Sequence, residues 1–219
     1  MYIDLVFVGT VFLTLSFLYK ATGFSKTVIV ISLVWLALQA AAGLSGFYKV
    51  TAGGPPRFAF LVMPPLFFIL MLFVVRAGRR FLDALDVRLL TLLHVVRIPV
   101  ELTLYWLYLH KVVPRAMTFE GRNFDILCGL TAPLVWYFGF VKRRLAKGVL
   151  IGWNVVCVLF LANIAVTAVL AASPRFHQLG FEQRNIALSN FPFVWLPCCI
   201  VPIVLLAHLA AIRKLGGRG

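Results

Sequence analysis

Three ionisable side chains spaced three and four residues apart, His94, Arg97 and Glu101, stand inside the otherwise apolar stretch 89–110. Each type has its own chemistry. A carboxylate takes up a proton or a cationic group, a guanidinium holds an anionic group or keeps a carboxylate ionised, and an imidazole relays protons. On a helix turning about 100° per residue, His94, Arg97, Glu101, Tyr105 and Tyr108 fall within an arc of roughly 80°. The remaining faces carry Leu, Val, Ile and Trp. A charge at the centre of a bilayer costs about 2.5–3.5 kcal/mol on insertion scales, so such groups face a bundle interior or a wet cavity. This face is the candidate substrate-binding site. Arg97 and Glu101 stand at i, i+4 and are expected to face each other, with Asn154, Asn163 and Gln39 as further polar partners.

A second set of candidates lies in two loops with a shared pattern, Phe119-Glu120-Gly121-Arg122-Asn123 and Phe181-Glu182-Gln183-Arg184-Asn185. Glu and Arg at this spacing can cross-link two loops. Glu120, Arg122, Asn123, Asp125, Glu182, Arg184 and Asn185 are therefore the expected lid or outer site. In an enzyme acting at this face, Glu120, Asp125, Glu182 and His177 would be the candidate acid and base groups.

Other chemistries find less support. His94 and His208 lie near one end of their segments and His110 and His177 near the other. Two histidine pairs at two depths are what a two-haem membrane cytochrome needs, but nothing else in the sequence accompanies them. A zinc hydrolase built from seven helices would need clustered His and Asp, and the last segment holds only His208. A retinal Schiff base would need a lysine within that segment, and Lys214 stands at its end. Cys128, Cys157, Cys198 and Cys199 lie within apolar runs without a CxxC spacing, so they read as buried free thiols. No GxSxG, HExxH, P-loop or dinucleotide motif is present. The reading therefore includes no metal and no cofactor.

The elements that must position these groups are apolar. Of 219 residues, 62% are hydrophobic and 13% charged, against about 25% charged in a soluble domain. Seven runs, residues 3–19, 28–44, 58–75, 89–109, 126–141, 149–170 and 191–212, each approach the length of about 20 residues that crosses a bilayer. The runs are continuous rather than alternating, which excludes a β-barrel. The apolar stretch Leu5–Leu18 of the first run has Asp4 rather than a basic segment before it, and the run is expected to be a retained helix, not a cleaved signal. The expected fold is all-α, a single seven-helix transmembrane domain over residues 1–219.

Of the 21 lysines and arginines, thirteen fall in loops on one side, from Lys20 to Arg218, and seven on the other, from Lys49 to Arg184. The positive-inside rule then puts the N-terminus outside and the C-terminus inside. On the inner side, Arg79 and Asp83 stand at i, i+4 and are expected to support a short interfacial helix. Residues 57–64, R-F-A-F-L-V-M-P, and 190–197, N-F-P-F-V-W-L-P, open the third and seventh runs with one pattern, which fits a 3+1+3 parallel repeat. The net charge of +14 lies in short loops between apolar runs, where it serves orientation rather than nucleic-acid binding.

The expectation is a multi-pass protein of the plasma or inner membrane. It would transport a small polar or charged molecule through a cavity centred on the fourth segment. The alternatives are an enzyme acting on a lipid or lipid-linked substrate at the outer face, and a non-catalytic membrane subunit or sensor. The expected partners are the lipid bilayer, a small-molecule substrate and, in a homo-oligomer, further copies of the chain.

Overall fold

The computed structural model describes residues 2–49, 57–173 and 177–217. Among these the regular structure is all helical, with nine α-helices: α1 (Tyr2–Ala21), α2 (Lys26–Leu44), α3 (Ala59–Val74), α4 (Arg76–Ala84), α5 (Val87–Leu93), α6 (Arg97–Leu109), α7 (Asp125–Trp136), α8 (Lys147–Ala172) and α9 (Val201–Gly216). Four single helices are long and apolar enough to cross a membrane: Tyr2–Ala21, Lys26–Leu44, Lys147–Ala172 and Leu196–Gly216. A fifth is added when α3 and α4, bent by 94°, count as one.

The other two apolar runs are helical but broken or short. Residues 87–109 form α5 and α6 on either side of a 3-10 turn at His94–Val96. Pro99 explains the break: it has no N–H for the carbonyl of Val95, and its ring crowds that carbonyl. The run Asp125–Val141 is α7 followed by a π-turn at Tyr137–Val141. Residues 191–194 are turn rather than helix, and a π-turn at Leu196–Ile200 leads into α9. Pro202 cannot donate to the carbonyl of Cys198, and the indole of Trp35 on α2 fills that role at 3.0 Å. Trp195 returns the contact, donating to the carbonyl of Leu36 at 3.0 Å.

The bend between α3 and α4 depends on Gly78, where a Cβ would stand 2.5 Å from the carbonyl oxygen of Leu72. Beyond the bend α4 is amphipathic, burying Gly78 and Leu82. Its Asp83 does not pair with Arg79. Asp83 accepts two hydrogen bonds from Arg213 on α9, at 2.9 and 3.1 Å, while Arg79 donates to the carbonyl of Val74. The exposed Asp83 carboxyl is held below its ordinary range by the Arg213 guanidinium.

The helices differ sharply in burial. α2 buries only Leu36, Gln39 and Gly43 and exposes Val30, Ile31, Val34 and Leu38, as a lipid-facing helix would. α9 buries eight residues, Pro202, Ile203, Val204, Leu206, Ala207, His208, Ala210 and Ala211, and packs against α8 and α5. Its alanines let neighbours approach closely. α9 and the α5–α6 pair thus share the centre of the bundle.

Candidate functional site

The buried polar groups meet where the α5–α6 break, the start of α7, the middle of α8 and α9 converge. Arg97, Glu101 and Asn123 are 2%, 1% and 1% exposed, and His94, Asp125, Asn154 and His208 are buried with them.

Close approach of α7 builds the site. Gly129 of α7 lies against the first turn of α6, where a Cβ would stand 2.9 Å from Cγ1 of Ile98 and 3.1 Å from its backbone nitrogen. That approach sets Asp125 and Cys128, on the preceding turn, beside Arg97. The nearest guanidinium nitrogen of Arg97 lies 3.1 Å from Asp125 Oδ1. The two are paired by charge, but neither atom makes an aligned hydrogen bond. The ion pair of Arg97 therefore reaches across to α7 rather than along its own helix to Glu101. The order of residues favours this, since Arg placed N-terminal to Glu is the weaker arrangement on one helix.

Glu101 is met from the loop before α7. The side-chain amide of Asn123 reaches both carboxyl oxygens of Glu101 at 2.7 Å and the carbonyl of Met117 at 3.1 Å. Asn123 Oδ1 accepts from the backbone N–H of Asp125 at 3.1 Å, which starts α7 in register with Arg97. Asn123 and Asp125, expected in a lid, thus belong to the same site as the fourth-segment face.

On the other side of Arg97 the rings of His94 and His208 stack 3.8 Å apart, within 9° of parallel. Trp153 presents its edge to both, at 5.6 and 5.7 Å. His208 Nδ1 donates to Asn154 Oδ1 at 2.8 Å, and Asn154 donates to the carbonyl of Leu150 at 2.8 Å. Asn154 thus serves His208 rather than Arg97. Cys128 on α7 and Cys157 on α8 are buried free thiols.

The remaining sequence candidates lie towards the loops. Tyr105 and Tyr108 are half-buried with ring centroids 6.4 Å apart. Tyr105 contacts Glu120 and lies 5.0 Å from the ring of Phe119. Asn163 is exposed and donates to the carbonyl of Arg122 at 2.7 Å. Gln39 accepts from the hydroxyl of Tyr48.

The two loops are joined through backbone groups. Glu182 accepts from the backbone N–H of Arg115, Gln183 donates to the carbonyl of Val113, and the N–H of Ile186 and of Ala187 both reach the carbonyl of Val112. Arg184 donates to the carbonyl of Ala172 at 3.0 Å, and Asn185 to that of Ala168 at 3.1 Å. None of the ion pairs among the described residues joins the two motifs. Their asparagines do play matching parts: each is buried, and each accepts a nearby backbone N–H, from Asp125 to Asn123 and from Leu188 to Asn185.

Six buried polar atoms of the central cluster make no hydrogen bond: three guanidinium nitrogens of Arg97, Asp125 Oδ1, His94 Nδ1 and His208 Nε2. Such atoms are rare in folded proteins and concentrate where a site has a task beyond holding itself together. Among the described residues, no group of three or more His, Cys, Asp or Glu side chains has metal-binding geometry. The arrangement suits proton exchange and the holding of a small polar or anionic group.

Comparison of the chain with protein-family models, with curated proteins and with solved structures finds no match.

Proposed function

We propose that the chain is a multi-pass transporter of the plasma or inner membrane that moves a small polar or charged molecule and couples the movement to a proton at Glu101. The observation that carries this is the buried cluster itself. Two buried carboxyls, Glu101 and Asp125, stand near a single guanidinium, Arg97, which pairs with Asp125 and leaves Glu101 to the amide of Asn123. Desolvated charges are expensive unless balanced, so Glu101, the carboxyl without a cationic partner among the described residues, is the group we assign to proton exchange. The imidazoles of His94 and His208 lie on one side of it, and Asn123, Tyr105 and Glu120 lead away on the other. Such chains of Asp, Glu and His are what proton-coupled membrane proteins use.

The reading takes all seven apolar runs as crossings, with residues 87–109 as a broken one. Discontinuous helices near mid-membrane are a recurring feature of transporter sites. It places the N-terminus outside and the C-terminus inside. It also keeps the 3+1+3 repeat, whose two motifs open the third and seventh runs; α3 and the π-turn at Leu196–Ile200 lie against each other. The enzyme reading has less support, because Asp125 is committed to Arg97 and Glu182 to the backbone of Arg115.

The test is proton movement in proteoliposomes that hold a pH-sensitive dye. Amino acids, sugars, carboxylates and amines are added in turn under an imposed proton gradient. At least one class evokes a change in internal pH with the wild-type chain and none with Glu101→Gln, which still inserts and elutes as the wild type does. Equal responses from the two proteins, or no response to any class, would defeat the proposal. Single cysteines at Ser45 and Ala146, both exposed, test the orientation: an impermeant reagent outside the cell labels the first alone.

A further inference from the structure

A cleft of about 960 Å³ opens between the first turns of α3 and the last turns of α8, away from the buried cluster. Its size lies in the upper part of the range of about 300–1,000 Å³ common for ligand sites. Among the described residues, three cations line it, Lys49, Arg57 and Arg184, and no carboxylate does. Lys49 and Arg57 belong to the connection between α2 and α3, and Arg184 to the loop after α8. Lys49 follows the buried Tyr48 in a 3-10 turn, and Arg57 precedes α3 with its guanidinium 4.8 Å from the ring centroid of Phe47. Arg184 is anchored by its Nε on the carbonyl of Ala172 at 3.0 Å. Deeper along the cleft the walls are apolar, with Val62 and Met63 on α3 and Leu170 on α8, and Met63 and Leu170 continue onto the exposed surface of the bundle.

We propose that this cleft binds an anionic lipid, with the phosphate of the headgroup among Lys49, Arg57 and Arg184 and an acyl chain along α3 and α8. Charge and shape both favour this occupant. Cations lining one cleft raise the local concentration of anions there, and arginine meets phosphate oxygens with two parallel N–H donors. The cationic end lies with the loops and the apolar end runs along helices that face lipid, so a molecule with one charged end and one apolar end fits in a single orientation. An inorganic anion would satisfy the cations and leave the apolar walls unused. The inference is independent of the transport proposal, since no residue of the Arg97 cluster lines the cleft.

The experiment uses the full chain in a neutral detergent. Its unfolding temperature is followed by tryptophan fluorescence while phosphatidylglycerol, phosphatidylcholine with the same acyl chains, or inorganic phosphate is added. Phosphatidylglycerol raises the unfolding temperature, and the other two leave it unchanged. In Arg57→Gln/Arg184→Gln the apparent Kd for phosphatidylglycerol rises about tenfold or more, about 1.4 kcal/mol for each factor of ten. Arg79→Gln/Arg80→Gln removes the same charge from the opposite loops and keeps the wild-type response. Where the first pair impairs folding, Lys49→Gln is used instead, with bound lipid counted by native mass spectrometry. Three results overturn the proposal: an equal response to inorganic phosphate, which makes the cleft a free-anion site; an equal response to phosphatidylcholine; and an equal loss in both arginine pairs, which makes the effect one of overall charge.

Discussion

The side-chain amide of Asn123 lies 2.7 Å from both carboxyl oxygens of Glu101, two residues that are 22 positions apart and both about 1% exposed. This contact ties the loop before α7 to the buried cluster and provides direct hydrogen bonds to the Glu101 carboxyl. Replacing Asn123 with Ala leaves that carboxyl unmet and is expected to cost about 1–3 kcal/mol. Glu101→Gln with Asn123→Ala should cost less than the sum of the single changes. Chemical denaturation of the four proteins in detergent measures the coupling, and strict additivity would show that the contact carries no energy.

The Arg97–Asp125 pair makes a different prediction. Each side chain is nearly solvent-free and the two are held by charge at 3.1 Å without an aligned hydrogen bond. Removing one partner strands the other, so Asp125→Ala and Arg97→Ala should each lose about 3–5 kcal/mol. Arg97→Met with Asp125→Leu leaves no charge stranded and should be markedly more stable than either. The same double variant should be silent in the proteoliposome assay. Retained transport with restored stability would make the pair a structural clamp.

Gly129 tests the packing that brings these groups together. A methyl group there would meet Ile98 at 2.9 Å, with the Ile98 backbone nitrogen just behind it. A β-branched side chain on a helix is held to one rotamer and has little freedom to yield, and the backbone behind it has less. Gly129→Ala is therefore expected to destabilise by about 1–3 kcal/mol, even though alanine favours helix over glycine by about 1 kcal/mol. A thermal shift assay reads the sign, and a stabilised Gly129→Ala would show that α7 does not depend on this approach.

The fourth-segment face was legible in the sequence because His94, Arg97 and Glu101 interrupt an apolar run at helical spacing, and no lipid-facing position tolerates them. Their partners were not. Asp125 and Asn123 stand in a polar loop where nothing distinguishes an inward side chain from a solvated one. His208 is 114 positions from His94, and only the small residues Ala207, Ala210 and Ala211 around it mark α9 as a helix with close neighbours. The break at His94–Val96 follows from Pro99. The 94° bend at Val75 has no proline or glycine at the bend itself; Gly78, three residues on, lets the two arms approach at Leu72.

Trp35 provides a prediction outside the site. Its indole N–H meets the Cys198 carbonyl, which Pro202 cannot serve. Trp35→Phe keeps most of the apolar contact and loses the donor, leaving a carbonyl of the π-turn unmet at an expected cost of about 1–3 kcal/mol. Pro202→Ala restores a donor within the helix, so Trp35→Phe should cost less in that background. Unfolding temperatures of the four proteins give the comparison, and an unchanged cost of Trp35→Phe would sink the explanation.

The last prediction concerns pH and the contact of α4 with α9. Asp83 accepts two hydrogen bonds from Arg213, and these hold its carboxyl below the ordinary value of 3.8. A carboxyl whose folded-state value is depressed binds its proton more readily in the unfolded chain. Its contribution to stability is therefore complete above pH 3.8 and is lost as the pH falls through the depressed folded value. The stability difference between the wild type and Asp83→Asn should be constant from neutral to mildly acid pH and should shrink below 3.8. The side chains of Arg213 and Asp83 are 33% and 54% exposed, so the difference should also shrink with added salt. Denaturant titrations of both proteins across that range and at two salt concentrations check this. A difference that persists in strong acid would mean that the Asp83→Asn substitution disturbs α4 itself rather than its pairing with α9.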